Sequence, residues 1–270
     1  MVDTHGQFVW YELLTDDVEA AKAFYTNVVG FGIEDVSMPG MTYILLTVAG
    51  VSVAGLSGLP EEAKIMGLTP RWIGYVGVED VDAATKRWQQ LGGQVHVPPQ
   101  NIGDISRFAV VADPQMARLA LLQWLKPRRE IAAAARAAGR VGWHELFAVD
   151  CERAFAFYSE LFRWQKGVAS VGAMGTYQLF SAAGKTIGGI LSKPPTIPSP
   201  TWLHYFNVGD LDAAIDRVKA GGGQTLNEPI EAPDGSWVVQ CTDPQGALFA
   251  LIGKRSPRAA GFLQRVAALD

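Results

Sequence analysis

The hydrophobic pattern at the start of the chain predicts a buried strand followed by an amphipathic helix. Residues 8–15 are apolar apart from Glu12, which is typical of a strand that is covered on both faces. The next segment, VEAAKAFYTNVVG, places its apolar residues at helical spacing, and Asp17 and Gly30 suit the start and the end of such a helix. Strand-like runs follow between positions 42 and 56.

A second unit with the same pattern begins at Trp72. Residues 72–78 are strand-like, and Asp80 can cap the helical segment VDAATKRWQQLGG that follows. Further strands are predicted near 94–98, 107–112 and 117–124. The repeating unit is therefore a strand, a helix and three strands, and it occurs twice in succession.

This double unit is itself repeated along the chain. The segment WYELLTDDVEAAKAFY at 10–25 matches WHELFAVDCERAFAFY at 143–158, with an offset of 133 residues. Later blocks match with an offset of 130, as WIGYVGVEDVDAA at 72–84 does with WLHYFNVGDLDAA at 202–214. A period this long indicates a duplicated domain rather than an array of short repeats.

The proportion of strands to helices predicts an α+β fold, in which helices cover the outer face of a mostly antiparallel sheet. We expect two tandem domains, at 6–126 and 140–253, each built of two such units. The Ala- and Arg-rich segment 127–139 is predicted to be a helical linker. Residues 254–270 are predicted to form a tail helix that docks on the body or on a partner subunit.

Composition and charge exclude several classes of partner. Hydrophobic residues make up 49% of the 270 positions and charged residues 19%, which is ordinary for a globular protein. The net charge of −4 provides no field that attracts a phosphate backbone, so we expect no nucleic-acid partner. The N-terminus lacks a signal-peptide pattern and no apolar run approaches ~18 residues, so we expect no membrane span. The two cysteines, Cys151 and Cys241, have no counterparts in the first copy and are compatible with a reducing compartment. We therefore expect a cytoplasmic monomer or homodimer.

The repeated blocks resemble the vicinal oxygen chelate superfamily, which includes glyoxalases, bleomycin-resistance proteins and ring-cleaving dioxygenases. The resemblance rests on Asp17 followed by AAKAFYTNVVGF, on the VEDVDAA block, and on DPQ followed by a strand, each with its counterpart in the second copy. It extends from about residue 7 to residue 253. It implies paired βαβββ modules that curve into a cup, and therefore two cups in this chain.

The resemblance also implies a place for a divalent metal. Family enzymes usually hold the ion with ligands on the first strand, on the strand before the second capping Asp, and on the last strand. The corresponding positions in the two copies are Trp10, Ile73 and Ala120, then Trp143, Leu203 and Ala250. Indole offers only a hydrogen-bond donor and alkyl groups offer a metal nothing. We therefore expect no cofactor and no divalent metal at the usual place.

Two histidines are the remaining metal candidates. His144 and His204 each follow one of these positions by a single residue. A register that differed by one would bring both into the second cup as a metal-binding pair. A one-residue shift moves a side chain to the opposite face of its strand, so alternation directs both histidines toward the helices instead.

Strand alternation puts one carboxylate and two aromatic rings on the concave face of each domain. These residues are Trp10, Glu12 and Tyr75 in the first copy, and Trp143, Glu145 and Tyr205 in the second. A carboxylate in such a place can pair with a ligand while the rings stack on it. Desolvation can instead raise its pKa and make it a general acid or base. The third interpretation is structural: the carboxylate bonds only to protein and positions the strands.

These alternatives give three candidate functions. The leading hypothesis is a protein of the glyoxalase/bleomycin-resistance type that binds an aromatic or amphipathic small molecule without metal. The second is a superfamily enzyme of the lyase, isomerase or dioxygenase type, which uses Glu12 or Glu145 as acid–base or a metal at another place. The third is an interaction scaffold with collapsed cups. Fold alone does not choose among them, so whether the chain is an enzyme stays open.

Overall fold

Each copy of the repeat forms its own sheet in the computed structural model, which describes residues 4–65, 67–126, 137–172 and 175–256. The strands of the first copy are β1 (Phe8–Thr15), β2 (Gly32–Asp35), β3 (Tyr43–Val48), β4 (Val51–Gly58), β5 (Arg71–Gly77), β6 (Gln94–Ile102), β7 (Ser106–Ala112) and β8 (Arg118–Trp124). Its helices are α1 (Val18–Val29), α2 (Glu61–Ile65) and α3 (Val81–Gln90). The order across the sheet is β2-β3-β4-β1-β5-β8-β7-β6.

The second copy repeats this arrangement. Its strands are β9 (Val141–Ala148), β10 (Gln165–Gly172), β11 (Gly175–Ala182), β12 (Lys185–Ser192), β13 (Thr201–Asp210), β14 (Gln224–Thr225), β15 (Ile230–Glu231), β16 (Trp237–Thr242) and β17 (Leu248–Lys254), and its helices are α4 (Cys151–Phe162) and α5 (Leu211–Ala220). The order is β10-β11-β12-β9-β13-β17-β16-β14, with β15 paired to β16.

The pairing pattern within a sheet confirms the predicted α+β fold with two βαβββ modules per copy. The first and last strands of a module run parallel, as β1 does with β4 and β5 with β8. The two modules meet where β1 pairs with β5 in antiparallel register. The other neighbouring strands of the first sheet are also antiparallel. The centre of each sheet is therefore formed by the first strands of its two modules.

Some predicted elements differ from those observed. By the 130-residue offset, the strand predicted near 94–98 should recur at 224–228, but there it is reduced to β14 and is followed by the separate strand β15. Strands β2 and β10 had no distinct sequence pattern, and all four residues of β2 are exposed, so its composition shows no alternation. The linker segment 127–136 and the tail segment 257–270 lie outside the described residues. Among the described helices, none is long and apolar enough to cross a membrane.

The helix starts follow the predicted capping pattern. Asp17, Asp80, Asp150 and Asp210 are the N-cap residues of the four long helices, and each accepts a hydrogen bond from a backbone N–H three residues further on. Gly30 ends α1 with a φ of 87°, a left-handed conformation that glycine adopts without steric cost. The caps fix where each helix begins relative to the strand before it.

The four long helices, α1, α3, α4 and α5, lie between the two sheets, and the main hydrophobic cores are shared by both copies. In one core, Phe24 and Tyr25 of α1 pack with Phe206 and Phe249 of the second copy. In the other, Trp88 of α3 packs with side chains of α4 such as Tyr158. Each of the four long helices therefore covers the convex face of its own sheet and also contacts the other copy. The concave faces point away from this shared region.

The DPQ turns join the copies reciprocally. Gln245 Oε1 accepts hydrogen bonds from the backbone N–H groups of Asp16 and Asp17, at 2.9 and 2.7 Å, and its Nε2 donates to the Asp17 carbonyl at 2.8 Å. Gln115 does the same for Val149 and Asp150 in the second copy, at 2.8 and 2.7 Å. Each copy therefore supports the first helix of the other.

Candidate functional site

We call the concave faces of the first and second sheets cup 1 and cup 2. In cup 1, Trp10 of β1 clusters with Ile73 and Tyr75 of β5 and with Ala120 and Leu122 of β8. In cup 2, Trp143 packs against the corresponding cluster of Leu203, Tyr205 and Ala250. Leu13 and Leu146, one residue along from the two glutamates, belong instead to the cores beneath the helices. The structure thus brings the Trp, Glu and Tyr of each copy together on one face, as the alternation predicts.

In cup 1, Glu12 is half-buried and accepts two hydrogen bonds from protein. Tyr75 donates its hydroxyl to Oε2 at 2.7 Å, and Ser57 donates to Oε1 at 2.9 Å. Burial raises the pKa of Glu12 above its ordinary value, while these two hydrogen bonds lower it. Burial and the neighbouring carboxylate raise the pKa of Tyr75 well above its ordinary value, so this residue stays a hydroxyl donor.

In cup 2, Glu145 is held by two tyrosines. Tyr177 donates to Oε1 at 2.7 Å and Tyr205 donates to Oε2 at 2.5 Å. The Trp143 indole in turn donates to the Tyr177 hydroxyl at 2.8 Å. Burial raises the pKa of Glu145, and the two tyrosine hydrogen bonds lower it. The carboxylate is the centre of a continuous hydrogen-bond network.

Sequence reasoning missed two tyrosines that complete these sites. Tyr43 accepts a hydrogen bond from Trp10 in cup 1, at the place that Tyr177 occupies in cup 2. Both rings lie directly on a glycine: a Cβ added at Gly55 would come within 2.2 Å of the Tyr43 hydroxyl, and one at Gly189 within 2.3 Å of the Tyr177 ring. Each tyrosine follows a threonine at the start of a strand-like run, and this shared Thr-Tyr pair is the sequence feature that could have revealed them.

The residues of the cups do not fit the metal that family enzymes usually hold. Trp10, Ile73 and Ala120 stand at the three ligand positions of cup 1 and form part of its apolar cluster. Trp143, Leu203 and Ala250 do so in cup 2. Among the described residues, no three His, Cys, Asp or Glu side chains are grouped closely enough to hold a metal ion. None of the six side chains carries a lone pair that coordinates a divalent cation well.

His144 and His204 lie on the convex side, at the contact between the two copies. His144 Nε2 is 2.6 Å from the Tyr11 hydroxyl, and its Nδ1 is 2.8 Å from the Ile187 carbonyl. The His144 ring also stacks on Phe8, with centroids 4.0 Å apart. This places both histidines outside cup 2, on the face opposite Glu145. Their environment is a packed interface between the copies.

A shallow depression elsewhere on the surface contains none of these residues. It is lined by Lys22, Ala23, Thr26, Asn27 and Ile33, beside α1 and β2. It offers one ammonium group and little apolar area, so it lacks the convergent polar groups on an apolar floor that are typical of a ligand site. The cups remain the better candidates.

The protein has two tandem α+β domains with cup-shaped sheets. Each sheet carries a carboxylate and aromatic rings on its concave face. The sequence matches the glyoxalase/bleomycin resistance protein/dioxygenase superfamily over residues 7–121 and 140–251. The chain belongs to this superfamily, and the match includes both copies.

Relatives of known name match along nearly the whole chain. The protein CFP32 of Mycobacterium tuberculosis, which carries the name of a candidate glyoxylase, is 34% identical over 246 residues, covering 90% of this chain and 93% of that protein. The anthracycline biosynthesis protein DauV of a Streptomyces species is 31% identical over 272 residues, covering 94% of this chain and 96% of its own length.

Solved structures of the superfamily have the same fold. The Mn(II)-bound glyoxalase of Novosphingobium aromaticivorans superimposes with a TM-score of 0.65 at 14% identity, covering 94% of this chain and 84% of that one. A catechol 2,3-dioxygenase superimposes with a TM-score of 0.63 at 14% identity, covering 96% of this chain and 91% of that one. At such identities the likeness establishes the fold and leaves the chemistry to the residues of the cups.

Proposed function

We propose that this protein binds an aromatic or amphipathic small molecule in one or both cups, without the divalent metal of the family's enzymes. The observation that carries the proposal is the pairing of a half-buried carboxylate with aromatic rings on the concave face of both copies. Rings on such a face can stack on a flat ligand, and the polar groups among them orient it.

The names of two relatives support a ligand with a ring system. DauV, and DnrV of Streptomyces peucetius at 31% identity over 271 residues, are both anthracycline biosynthesis proteins. Anthracyclines are polycyclic aromatic compounds that carry ring carbonyls and hydroxyls. A ligand of this class would match the aromatic surfaces and the hydroxyl and carboxylate groups of the cups.

A second candidate function is metal-independent acid–base catalysis by Glu12 or Glu145. The observation that favours it is the raised pKa of both carboxyls, which brings each closer to the value that suits proton transfer at neutral pH. The candidate glyoxylase name of CFP32 is in line with this alternative. The third hypothesis, a scaffold with collapsed cups, is less well supported because Glu12, Tyr43 and Glu145 are all partly exposed.

A thermal-shift experiment on the full chain tests the proposal. We expect anthraquinone monosulfonate to raise the melting temperature, because a ligand of the folded state stabilises it, and we expect manganese ions to leave it unchanged. Stoichiometric divalent metal in the purified protein, removable only by a chelator, would contradict the metal-free part of the proposal. Conversion of a bound compound by the purified protein would favour the enzyme.

The paired variants Glu12→Gln and Glu145→Gln test the role of the carboxylates. We expect at least one of them to weaken binding of a dihydroxyanthraquinone, whose phenolic hydroxyl can donate to the carboxylate, roughly 10-fold, since hydrogen bonds that involve a charged group contribute about 1.5–3 kcal/mol. Affinity is measured by titration calorimetry and stability by thermal melting. Unchanged affinity in both variants, together with lowered melting temperatures, would leave only the structural interpretation.

A further inference from the structure

The two cups satisfy their carboxylates with different partners. Ser57 pairs with Leu14 across β4 and β1, and the corresponding pair in the second copy is Leu191 with Phe147. In cup 1, the Ser57 hydroxyl donates to Glu12 Oε1. Leu191 has no hydroxyl, and in cup 2 the same oxygen of Glu145 is instead satisfied by Tyr177. The difference between Ser57 and Leu191 therefore decides whether the tyrosine beside the glutamate donates its proton to the carboxylate: Tyr177 does so and Tyr43 does not.

As a consequence, Tyr43 has a hydrogen-bond capacity that Tyr177 lacks. The Tyr177 hydroxyl accepts from Trp143 and donates to Glu145. The Tyr43 hydroxyl accepts from Trp10, and among the described residues no acceptor takes its proton. A hydroxyl that is already oriented by an indole and still has its proton to donate is suited to an acceptor oxygen on a ligand.

At the strand pair that follows the glutamate, cup 2 is more completely filled by its own side chains. Phe147 and Leu191 are 1% and 5% exposed, where cup 1 has the smaller and more exposed Leu14 and Ser57. Ile197, from the loop between β12 and β13, packs against the cup 2 cluster. The corresponding loop of cup 1 forms α2, and none of its described residues packs against the cup 1 cluster.

Cup 1 carries additional aromatic surface. Phe108 and Trp124 are partly buried against its cluster, and the Phe108 ring lies 6.2 Å from that of Tyr75. Aligned through the repeat, the corresponding residues of the second copy are Val238 and Lys254. A flat ring system would find stacking partners in cup 1 that cup 2 lacks.

We infer that cup 1 is the ligand-binding cup, in which Tyr43 donates a hydrogen bond to a carbonyl or phenolic oxygen of a flat aromatic ligand, and that cup 2, whose tyrosine hydroxyls are already paired with Glu145, does not bind this ligand. The inference rests on the proposed function and assigns it to one of the two sites. It also makes Tyr43 a determinant of specificity, because a ring system without an acceptor oxygen leaves its proton unpaired.

The test compares two matched variants and two matched probes in the full chain. Tyr43→Phe and Tyr177→Phe each remove one hydroxyl and keep the ring that lies on the glycine. Anthraquinone monosulfonate and anthracene monosulfonate have the same three-ring skeleton, and only the first has ring carbonyls. Calorimetry gives the affinity and stoichiometry, and thermal melting of the unliganded proteins reports whether each variant folds.

We expect one anthraquinone probe to bind per chain. Tyr43→Phe should weaken its binding roughly 5- to 10-fold, the loss of one hydrogen bond, and should change anthracene binding less than about twofold. Tyr177→Phe should change the affinity for either probe less than about twofold. If Tyr43→Phe does not fold, Ser57→Ala replaces it, because Glu12 then lacks its serine donor and Tyr43 can turn to the carboxylate.

Three groups of results would contradict the inference, and they differ in whether the proposed function also fails. Probe binding that is lost with Tyr177→Phe, that is equally weakened by both variants, or that reaches two molecules per chain would contradict the assignment to cup 1 and leave the proposed function intact. Equal weakening of both probes by Tyr43→Phe would contradict the acceptor. Failure of the wild-type protein to bind either probe would overturn the inference together with the proposed function.

Discussion

His204 has an unusual environment for a polar side chain. It is 1% exposed, and among the described residues neither of its ring nitrogens has a hydrogen-bond partner. Its neighbours are the rings of Phe8, Tyr11 and His144 and the backbone of Gly74, where an added Cβ would come within 2.7 Å of the imidazole. The first copy has glycine at this position because the imidazole occupies the space.

This environment predicts an acid-sensitive fold. Burial lowers the pKa of His144 to about 4, and burial and the neighbouring His144 lower that of His204 well below its ordinary value. The unfolded chain therefore binds protons below pH ~6.5 that the folded chain does not bind. The contribution of the two neutral histidines to the free energy of unfolding should be fully present above pH ~6.5. It should fall toward pH 4, by up to about 1.4 kcal/mol per pH unit for each histidine.

The variant His204→Leu isolates this effect. We expect it to be at least as stable as the wild type at pH 7, because no hydrogen bond is lost, and to lose less stability between pH 7 and pH 5. Urea unfolding at both pH values gives the measurement. The carboxylates titrate in both proteins, so their contribution cancels in the difference. An unchanged pH dependence would show that His204 is not held in its neutral form by burial.

At the scale of elements, the contacts between the copies depend on the two glutamines of the DPQ turns. Gln245 also accepts a hydrogen bond from the Thr15 hydroxyl at 2.6 Å, so one side chain satisfies three donors at the end of β1 and the start of α1. Nearby, Asp243 accepts from the hydroxyl of Tyr25 at 3.1 Å, and Asp113 accepts from that of Tyr158 at 2.9 Å. The side chains of the two DPQ turns therefore form polar contacts with the other copy, one turn at each shared core.

Removal of either glutamine should destabilise the whole chain. We expect Gln245→Ala and Gln115→Ala each to lower the free energy of unfolding by about 1–3 kcal/mol, because backbone N–H groups lose their acceptor. Chemical denaturation measures both, with the exposed Gln89→Ala on α3 as the matched control, for which the change should stay within about 0.5 kcal/mol. Effects no larger than that of the control would show that water replaces the glutamines without cost.

At the scale of the molecule, each sheet belongs to one copy but each core belongs to both. Separated copies, residues 1–126 and 137–270, would expose the convex faces that the cores bury, including Phe24 and Trp88. We therefore expect neither to be a stable folded monomer; each should unfold or self-associate. Sedimentation together with circular dichroism measures this. A cooperative, monomeric melt of either piece at the temperature of the full chain would contradict the shared cores.

The sequence predicted the orientation of side chains correctly where one face of a strand or helix is buried. Alternation along β1 and β9 placed Trp10, Glu12, Trp143 and Glu145 correctly, because a buried face fixes the register of a strand. Tyr43 was missed because its position in the cup depends on the pairing of β3 with β4, which the pattern of one copy does not reveal; only the recurrence of the Thr-Tyr pair at 176–177 points to it. The sequence also did not predict that each hydrophobic core contains residues of both copies, because a hydrophobic helix face does not specify which sheet it packs on.

The reciprocal bonds of Gln115 and Gln245 have the form of a twofold-symmetric interface, in which residue i of one half meets residue j of the other and j meets i. Two identical chains joined in this way would carry identical cups, and every substitution would appear in both. Fusion into one polypeptide removes that restriction. A serine can stand at position 57 and a leucine at position 191, so one half can keep an open site while the other becomes its support.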